Sequence, residues 1–285
     1  MVETNMMAEL TWTEYQERLR RENPVILLPV GALEQHGPHL PLGTDHMIPT
    51  AICRAVAALV PALVAPAFSY GYKSQPKMGG GNHFVGTTSL DGNNLSLTLR
   101  DVLKEFARHG SRRVAVVDGH YENQMFLIEG IDLAMRELRY DGVIDMKIIR
   151  LEYWDFTSNE TLAAVFPEGF PGYALEHAAV METSISLHIH PHLVRLDKLP
   201  KDPPADFPPY DVYPTNVAWV PPSGVLSPAK SATAAKGKAL FEEYVRTIAA
   251  ALQKEFPAKT KASRAAAATV RPVGRRRATP KGRRR

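Results

Sequence analysis

The stretch that most constrains the fold of this chain covers residues 25–45, where an apolar run passes directly into a polar loop. Residues 25–30, V-I-L-L-P-V, are apolar throughout, which is typical of a strand buried on both faces in a parallel sheet. The run breaks at Gly31, and the loop that follows carries four ionisable side chains: Glu34, His36, His39 and Asp45. Ligand sites in open α/β sheets lie just past the carboxyl ends of such strands, so this loop is the first candidate site.

A second stretch repeats this arrangement later in the chain. Residues 113–117, R-V-A-V-V, predict another buried strand, and D-G-H-Y-E-N follows it at once, bringing His120 and Glu122. Apolar runs alternate with helical patterns along the chain, which indicates an α/β fold. We therefore expect the polar groups of both stretches to meet at one centre.

The rest of the chain is expected to surround these strands. Further strands are predicted at residues 63–68 and 145–154, and helices at 9–22, 46–59, 93–109, 124–140, 176–187 and 230–256. Between them, residues 69–92 form a long irregular stretch with three successive glycines at 79–81. Its length and its Tyr, His, Asn and Gln content predict a lid or a pocket wall.

Charge divides the chain into a body and a tail. The whole chain has 34 Lys and Arg against 30 Asp and Glu, but eleven of the basic residues and none of the acidic ones lie in 257–285. Residues 1–256 are therefore acidic by seven charges, and we predict that they form one catalytic domain. The tail is poor in aromatic residues and is predicted to be disordered, with at most non-specific contacts to nucleic acid.

The composition also bears on the compartment in which the protein works. Cys53 is the single cysteine and lies in an apolar, helix-like segment, so we expect an inert thiol and a reducing cytoplasm. No signal peptide is evident at the N-terminus. No apolar run approaches the roughly 18–20 residues that a spanning helix needs, so no membrane partner is expected.

Five side chains from the two polar stretches form a candidate metal site: Glu34, His36, Asp45, His120 and Glu122. Carboxylates and imidazoles without a nearby cysteine suit divalent ions such as Zn²⁺ or Mn²⁺. Five ligands are too many for one tetrahedral structural zinc and suit two ions bridged by one carboxylate, Asp45. Two such ions activate water and polarise a carbonyl, and amide hydrolysis requires both effects. The alternative is that these are ordinary polar residues of surface loops.

The motifs around these residues resemble those of the creatininase family of metal-dependent amidohydrolases. The resemblance rests on P-V-G-A-L-E-Q-H-G-P-H-L-P-L-G-T-D, G-H-Y-E-N, E-H-x-x-x-x-E-T-S and F-P-P-Y-D-V, and it covers about residues 25–256. It implies a three-layer α/β/α sandwich with a mainly parallel central sheet, two divalent ions (Zn²⁺ and/or Mn²⁺) per subunit and a homo-oligomer, a hexamer. The implied reaction is the reversible hydrolysis of the cyclic amide of creatinine to creatine by a metal-activated hydroxide.

The resemblance also implies how the ions would be held. Glu34 and His120 would bind one ion and His36 and Glu122 the other, with Asp45 as the bridge. A further carboxylate, at position 182, matches a family residue near the metal site.

Catalytic and substrate-binding roles follow from the same resemblance. His177 would donate a proton to the departing ring nitrogen, and Glu122 and Trp154 would also take part in catalysis. The substrate would contact six residues: Met78, Tyr121, Trp154, Tyr173, Ala174 and His177.

Four positions depart from the family pattern. Tyr173 and Ala174 stand where Trp-Asp is expected, Met78 replaces a small polar residue, and Asp118 replaces the commoner Asn before Gly-His. The first three lie where the substrate would be held. They leave open a second interpretation, an amidohydrolase of the same family that acts on another cyclic or formylated amide.

Overall fold

A sheet of four parallel strands forms the centre of the protein, whose computed structural model describes residues 4–257. The strands are β1 (Val25–Val30), β2 (Ala62–Val64), β3 (Arg113–Asp118) and β4 (Lys147–Glu152), in the order β2-β1-β3-β4. The chain moves outward from β1 to β2 and returns to the other side of β1 at β3, so the strand order reverses between β1 and β3. Val30 pairs with Asp118, and the two strands therefore end side by side at this reversal. Open α/β sheets bind ligands at such a point.

Eight α-helices accompany the sheet within residues 4–257. They are α1 (Trp12–Glu22), α2 (Thr44–Val56), α3 (Pro76–Gly79), α4 (Gly92–Arg108), α5 (Gln124–Tyr140), α6 (Asn159–Val165), α7 (Val180–Ile189) and α8 (Ala234–Glu255). Short 3-10 turns lie at Met7–Glu9, Tyr121–Asn123, Tyr153–Phe156, Tyr173–Leu175, Pro191–Leu193, Leu196–Lys198 and Val217–Trp219. Thr11 begins α1 with a capping box to Glu14, which satisfies backbone N–H groups that the first helical turn leaves free.

The side chains of β1 alternate between two hydrophobic cores. Val25 and Leu27 face a core that includes residues of α2, α7 and α8. Ile26, Leu28 and Val30 face a second core, built mainly with α4 and α5. Because period-2 side chains pack against helices on both faces, β1 has to be apolar throughout. The predicted α/β fold, with a parallel central sheet between two helical layers, is confirmed.

Two predicted elements begin or end at different residues in the structure. The second strand stops at Val64 instead of continuing to residue 68, because Pro66 has no N–H to donate to a sheet ladder. The helix predicted from residue 176 begins only at Val180. The backbone at Ala178 is left-handed, with φ of 55°, so Glu176 and His177 lie in an irregular segment ahead of the helix.

The final core helix, α8, is followed by Phe256 and Pro257, where the described part of the chain ends. Apart from Pro257, the predicted basic tail at 257–285 lies outside the described residues. Within residues 4–257, no helix is both long enough and apolar enough to cross a membrane.

Candidate metal centre

Two glycines bring the ends of β1 and β3 against the same backbone group. A Cβ on Gly31 would lie 2.3 Å from the carbonyl oxygen of Asp45, and a Cβ on Gly119 would lie 2.2 Å from it. No other residue type permits so close an approach of the backbone. Asp45 lies in the first turn of α2 and its side chain is buried between the two polar segments that follow the strands.

His36 presents one ring nitrogen to carboxylates and the other to the backbone. Its Nδ1 lies 3.1 Å from the carbonyl oxygen of Glu34, which can only accept, so Nδ1 carries the hydrogen. Nε2 is left facing Asp45 Oδ1 at 2.9 Å and Glu182 Oε1 at 3.5 Å. An imidazole whose second nitrogen donates to a carbonyl is the usual arrangement of a histidine that ligates a metal.

His120 is arranged in the same way with the nitrogens exchanged. Its Nε2 donates to the carbonyl oxygen of Tyr72 at 3.0 Å. Nδ1 then faces Glu34 Oε2 at 3.4 Å and Asp45 Oδ2 at 3.2 Å. The two oxygens of Asp45 therefore point to different imidazoles, which is the geometry that a bridging carboxylate requires.

Three buried atoms at this centre make no well-aligned hydrogen bond: Glu34 Oε1, His36 Nε2 and Asp45 Oδ2, although the last two lie at ion-pair distance from neighbouring side chains. A buried polar atom without a partner costs about 1–3 kcal/mol, so three together call for an explanation. Ligand atoms about 2.0–2.1 Å from one tetrahedral ion lie about 3.3 Å apart, and the separations of 2.9 to 3.5 Å given above agree with this value. The donor set of carboxylates and imidazoles and its spacing fit divalent ions.

The carboxylates of this centre raise the pKa of both imidazoles. Burial lowers the pKa of His36, but the carboxylates of Asp45 and Glu182 outweigh it and hold that pKa well above the usual value. Burial likewise opposes the charged form of His120, and Glu122 and Glu34 raise its pKa well above the usual value. Against its own burial, Asp45 has a lowered pKa because both imidazoles favour its charge. Positive charge is therefore favoured at the positions that ions would fill.

The grouping of the ligands differs from the predicted one. Ligand atoms of Glu34, His120 and Glu122 lie within 4.8 Å of one another, and so do those of His36, Asp45 and Glu182. No group found in residues 4–257 contains both His36 and Glu122. Sequence reasoning placed Glu182 near the site without a ligand role. The sequence evidence for Glu182 was its place in the E-T-S motif, which lies in the first turn of α7.

His177 lies beside the centre and is held in one tautomer. The side-chain N–H groups of Gln35 go to the carbonyl oxygens of Gly79 and Gly224, so His177 Nε2 must donate to the carbonyl oxygen of Gln35 at 2.9 Å. Its Nδ1 faces Glu34 Oε2 at 3.7 Å. Burial, reinforced by the charge of His36, lowers the pKa of His177 well below its usual value. His177 is therefore neutral, with a free lone pair at Nδ1.

Aromatic side chains form one wall of the cavity above these residues. The rings of Tyr121 and Trp154 are nearly parallel, with centroids 6.1 Å apart, and the hydroxyl of Tyr173 donates to the carbonyl oxygen of Trp154 at 3.1 Å. Met78 also lines the cavity. Ala174 does not line this cavity, and the substrate contact predicted there stays a prediction.

Two other polar residues of these segments have separate partners. His39 is buried with Nε2 3.0 Å from Thr183 Oγ1, and burial lowers its pKa to about 4. Asp118 Oδ1 accepts hydrogen bonds from the His120 backbone and the Asn123 side chain, whereas Oδ2 has no partner. Burial raises the pKa of Asp118 to about 7. Asp118 therefore supports the segment that carries His120.

Comparison with known proteins identifies relatives over most of the chain. The family model for creatininase (creatinine amidohydrolase) matches residues 8–252. Creatinine amidohydrolase of Pseudomonas putida is 51% identical over 258 residues, which cover 90% of this chain and 99% of that protein. A mycofactocin precursor peptide peptidase of Mycobacterium ulcerans (strain Agy99) is 34% identical over 238 residues, covering 78% of this chain and 82% of that protein.

Solved structures agree with this result. A creatininase mutant complexed with creatine has a TM-score of 0.87 and 51% sequence identity, and the match covers 89% of this chain and 99% of that chain. A mutant creatininase of Zn–Zn type has a TM-score of 0.88, and a creatininase described as Mn has 0.87, both with the same identity and coverage.

Proposed function

Since the chain belongs to the creatininase family, we propose that it hydrolyses the cyclic amide of creatinine to creatine and catalyses the reverse ring closure. The observation that carries the proposal is Asp45, whose two oxygens face His36 and His120 at 2.9 and 3.2 Å in the floor of a cavity. Support comes from the creatinine amidohydrolase that shares half of its residues with this chain and from the related structure that holds creatine.

We propose that Glu34 and His120 hold one divalent ion, His36 and Glu182 hold the other, and Asp45 contacts both. Glu122 completes the group of Glu34 and His120. The relatives of Zn–Zn and Mn type support zinc or manganese as the ions. When bound, such ions polarise a carbonyl and lower the pKa of water enough to supply a nucleophile near neutral pH.

His177 is proposed to move the proton. Because it is neutral, it accepts at Nδ1 the proton that the attacking water loses, and then delivers it to the ring nitrogen as the C–N bond breaks. The hydrogen bond to the Gln35 carbonyl keeps Nδ1 directed at Glu34 and hence at the metal centre. Tyr121 and Trp154 hold the flat ring of the substrate and exclude water from it.

A direct test combines metal analysis with a creatinine and creatine assay on the full chain. We expect about two ions per chain and turnover that stops on chelation and returns with Zn²⁺ or Mn²⁺. His36→Ala and Glu122→Ala should each lower kcat/KM by more than about a hundredfold, because each removes a proposed ligand. His192→Ala changes an exposed histidine and serves as the matched control. Full activity of His36→Ala would rule out the two-ion site.

A second substrate class remains a candidate because of two residues in the cavity wall. Met78 and Tyr173 line the cavity at positions that depart from the family pattern. The peptidase relative at 34% identity is named for a peptide substrate, so the family is not confined to creatinine. Metal-loaded protein that leaves creatinine intact and hydrolyses another cyclic or formylated amide would favour this alternative.

We also propose that the chain forms a homo-oligomer, a hexamer, in the cytoplasm. The irregular stretch before α8 exposes several large apolar side chains, among them Tyr210, Tyr213 and Val217, and a neighbouring subunit would cover them. Light scattering should give six times the 31.5 kDa chain mass. The basic tail is proposed to contact nucleic acid only non-specifically, so deletion of residues 258–285 should leave turnover unchanged and remove salt-sensitive DNA retention.

A further inference from the structure

Glu176 is a carboxyl group of the cavity wall that the proposed metal centre does not use. It is 6% exposed, lines the same cavity as His177, and belongs to none of the ligand groups found in residues 4–257. Its Oε2 accepts the backbone N–H of Met181 at 2.7 Å, in the first turn of α7. Its Oε1 is buried and has no partner among the described residues. One oxygen therefore holds the start of the helix, and the other has no partner. Burial raises the pKa of Glu176 to about 8, and a hydrogen-bond donor on a bound substrate would lower that pKa and favour the carboxylate.

The other carboxylates of the cavity, Glu34 among them, belong to the proposed metal centre, which accounts for the unpaired Glu34 Oε1 and Asp45 Oδ2. Glu122 Oε1 accepts the backbone N–H of Gln75 at 2.7 Å, and Glu182 Oε2 accepts that of Ala178 at 2.6 Å. Their remaining oxygens, like those of the Asp45 side chain, face the two imidazoles. Buried acceptors in folded proteins have donors, and an exception at a ligand site points to a donor on the ligand. Among the described cavity carboxylates, Glu176 Oε1 is the unpaired oxygen that the proposed metal centre does not use.

We infer that Glu176 Oε1 accepts a hydrogen bond from an N–H group of the substrate and thereby selects cyclic amides that carry an exocyclic nitrogen. The inference rests on the proposed function, in which the carbonyl of the ring turns towards the metal centre and its faces lie along Tyr121 and Trp154. The amidine nitrogen of creatinine then supplies the missing donor. An analogue with a carbonyl oxygen at that position would place this acceptor against Glu176 Oε1, which is also an acceptor, and Glu176 would stay without a donor.

Glu176→Gln tests the inference because it changes the role of Oε1 and preserves the role of Oε2. The amide oxygen of the new side chain can still accept the Met181 N–H, while its NH₂ group turns the free acceptor into a donor. The probes are creatinine and 1-methylhydantoin, which carries a carbonyl oxygen where creatinine has its exocyclic nitrogen. Both are measured on the metal-loaded full chain, with KM and kcat for creatinine and an inhibition constant for the hydantoin. Glu129→Gln, on the exposed side of α5, is the control.

We expect the KM for creatinine to rise about tenfold or more in Glu176→Gln, with kcat changed less than about threefold. The inhibition constant of 1-methylhydantoin should fall in the same variant, since its carbonyl gains a donor. A purely structural role would weaken both ligands together or neither, and either result would overturn the inference. Calorimetric binding separates the two proposals: wild-type protein that binds creatinine without hydrolysing it refutes the proposed function alone. Wild-type protein that binds no creatinine at millimolar concentration refutes both.

Discussion

Gly79 offers the sharpest test of the metal centre, because an added methyl group there would meet a proposed ligand. Gly79 ends α3 and is buried, and a Cβ built on it would lie 2.1 Å from Glu34 Oε1 and 2.6 Å from Ser74 Oγ. Ordinary contact between such atoms begins near 3.4 Å, so in Gly79→Ala the carboxylate oxygen has to retreat by about 1 Å. Metal sites tolerate displacements of only about 0.2 Å.

The expected result is a loss of metal affinity without unfolding. Misplacing a ligand or the groups that orient it lowers metal affinity about 10–100-fold, so Gly79→Ala should bind zinc at least that much more weakly. The measurement is a zinc titration in competition with a chromophoric chelator, together with creatinine turnover and the far-ultraviolet circular dichroism of the metal-free protein. The double variant Gly79→Ala/Glu34→Asp should recover part of the affinity, because its shorter carboxylate reaches less far.

Gly142→Ala is the matched control for this experiment. Gly142 has a φ of 81° and no atom near its would-be Cβ, so alanine there adds backbone strain of about 1–2 kcal/mol and no clash. It should lower stability and leave zinc affinity unchanged. Zinc affinity of Gly79→Ala equal to that of the wild type would refute the assignment of Glu34 as a ligand held against α3.

Three further predictions concern stability. Removing the ions by dialysis against a chelator should abolish turnover and lower the melting temperature. An ion at about 1,000 times its Kd stabilises the folded state by about 4 kcal/mol. Differential scanning calorimetry with and without zinc measures the shift in melting temperature. Burial raises the pKa of Asp118 from 3.8 to about 7. Between pH 4 and 7 the folded protein therefore keeps a proton on Asp118 that the unfolded chain releases. This group makes the free energy of unfolding fall by about 1.4 kcal/mol per pH unit over that range. Urea unfolding of Asp118→Asn at pH 5 and pH 8 should lack that fall, and an unchanged pH dependence would contradict the assigned pKa. Leu99 of α4 is fully buried in the second hydrophobic core, so Leu99→Ala should cost about 2–5 kcal/mol in urea unfolding. Leu59→Ala, at an exposed position, should cost far less.

Local patterns were sufficient for the parts of the site that adjoin strands. The apolar run of β1 and the glycine after it predicted where Glu34, His36 and Asp45 would lie, and the same pattern at β3 located His120. Parallel strands end at one edge, so knowing two strands and their following loops was enough to bring these residues together.

The segment before α7 could not be predicted in the same way. A helical pattern from residue 176 onward hid the left-handed backbone at Ala178. There the carboxylates of Glu182 and Glu176 accept local hydrogen bonds from the backbone N–H groups of Ala178 and Met181. That turn brings Glu182 to His36 and leaves one oxygen of Glu176 free in the cavity. The short second strand reflects the missing N–H of Pro66, a signal present in the sequence but outweighed by the apolar run around it.

The crowding of buried acids around two imidazoles makes metal uptake an acid-producing reaction. In the metal-free protein the pKa values of His36 and His120 are raised, so both rings hold protons near neutral pH that an incoming ion must displace. Each displaced proton makes the apparent affinity for the ion fall about tenfold for every unit of acidification below those pKa values. Protons therefore compete with the metal ions for the two imidazoles. The fraction of the enzyme that is metal-loaded depends on both the metal concentration and the pH.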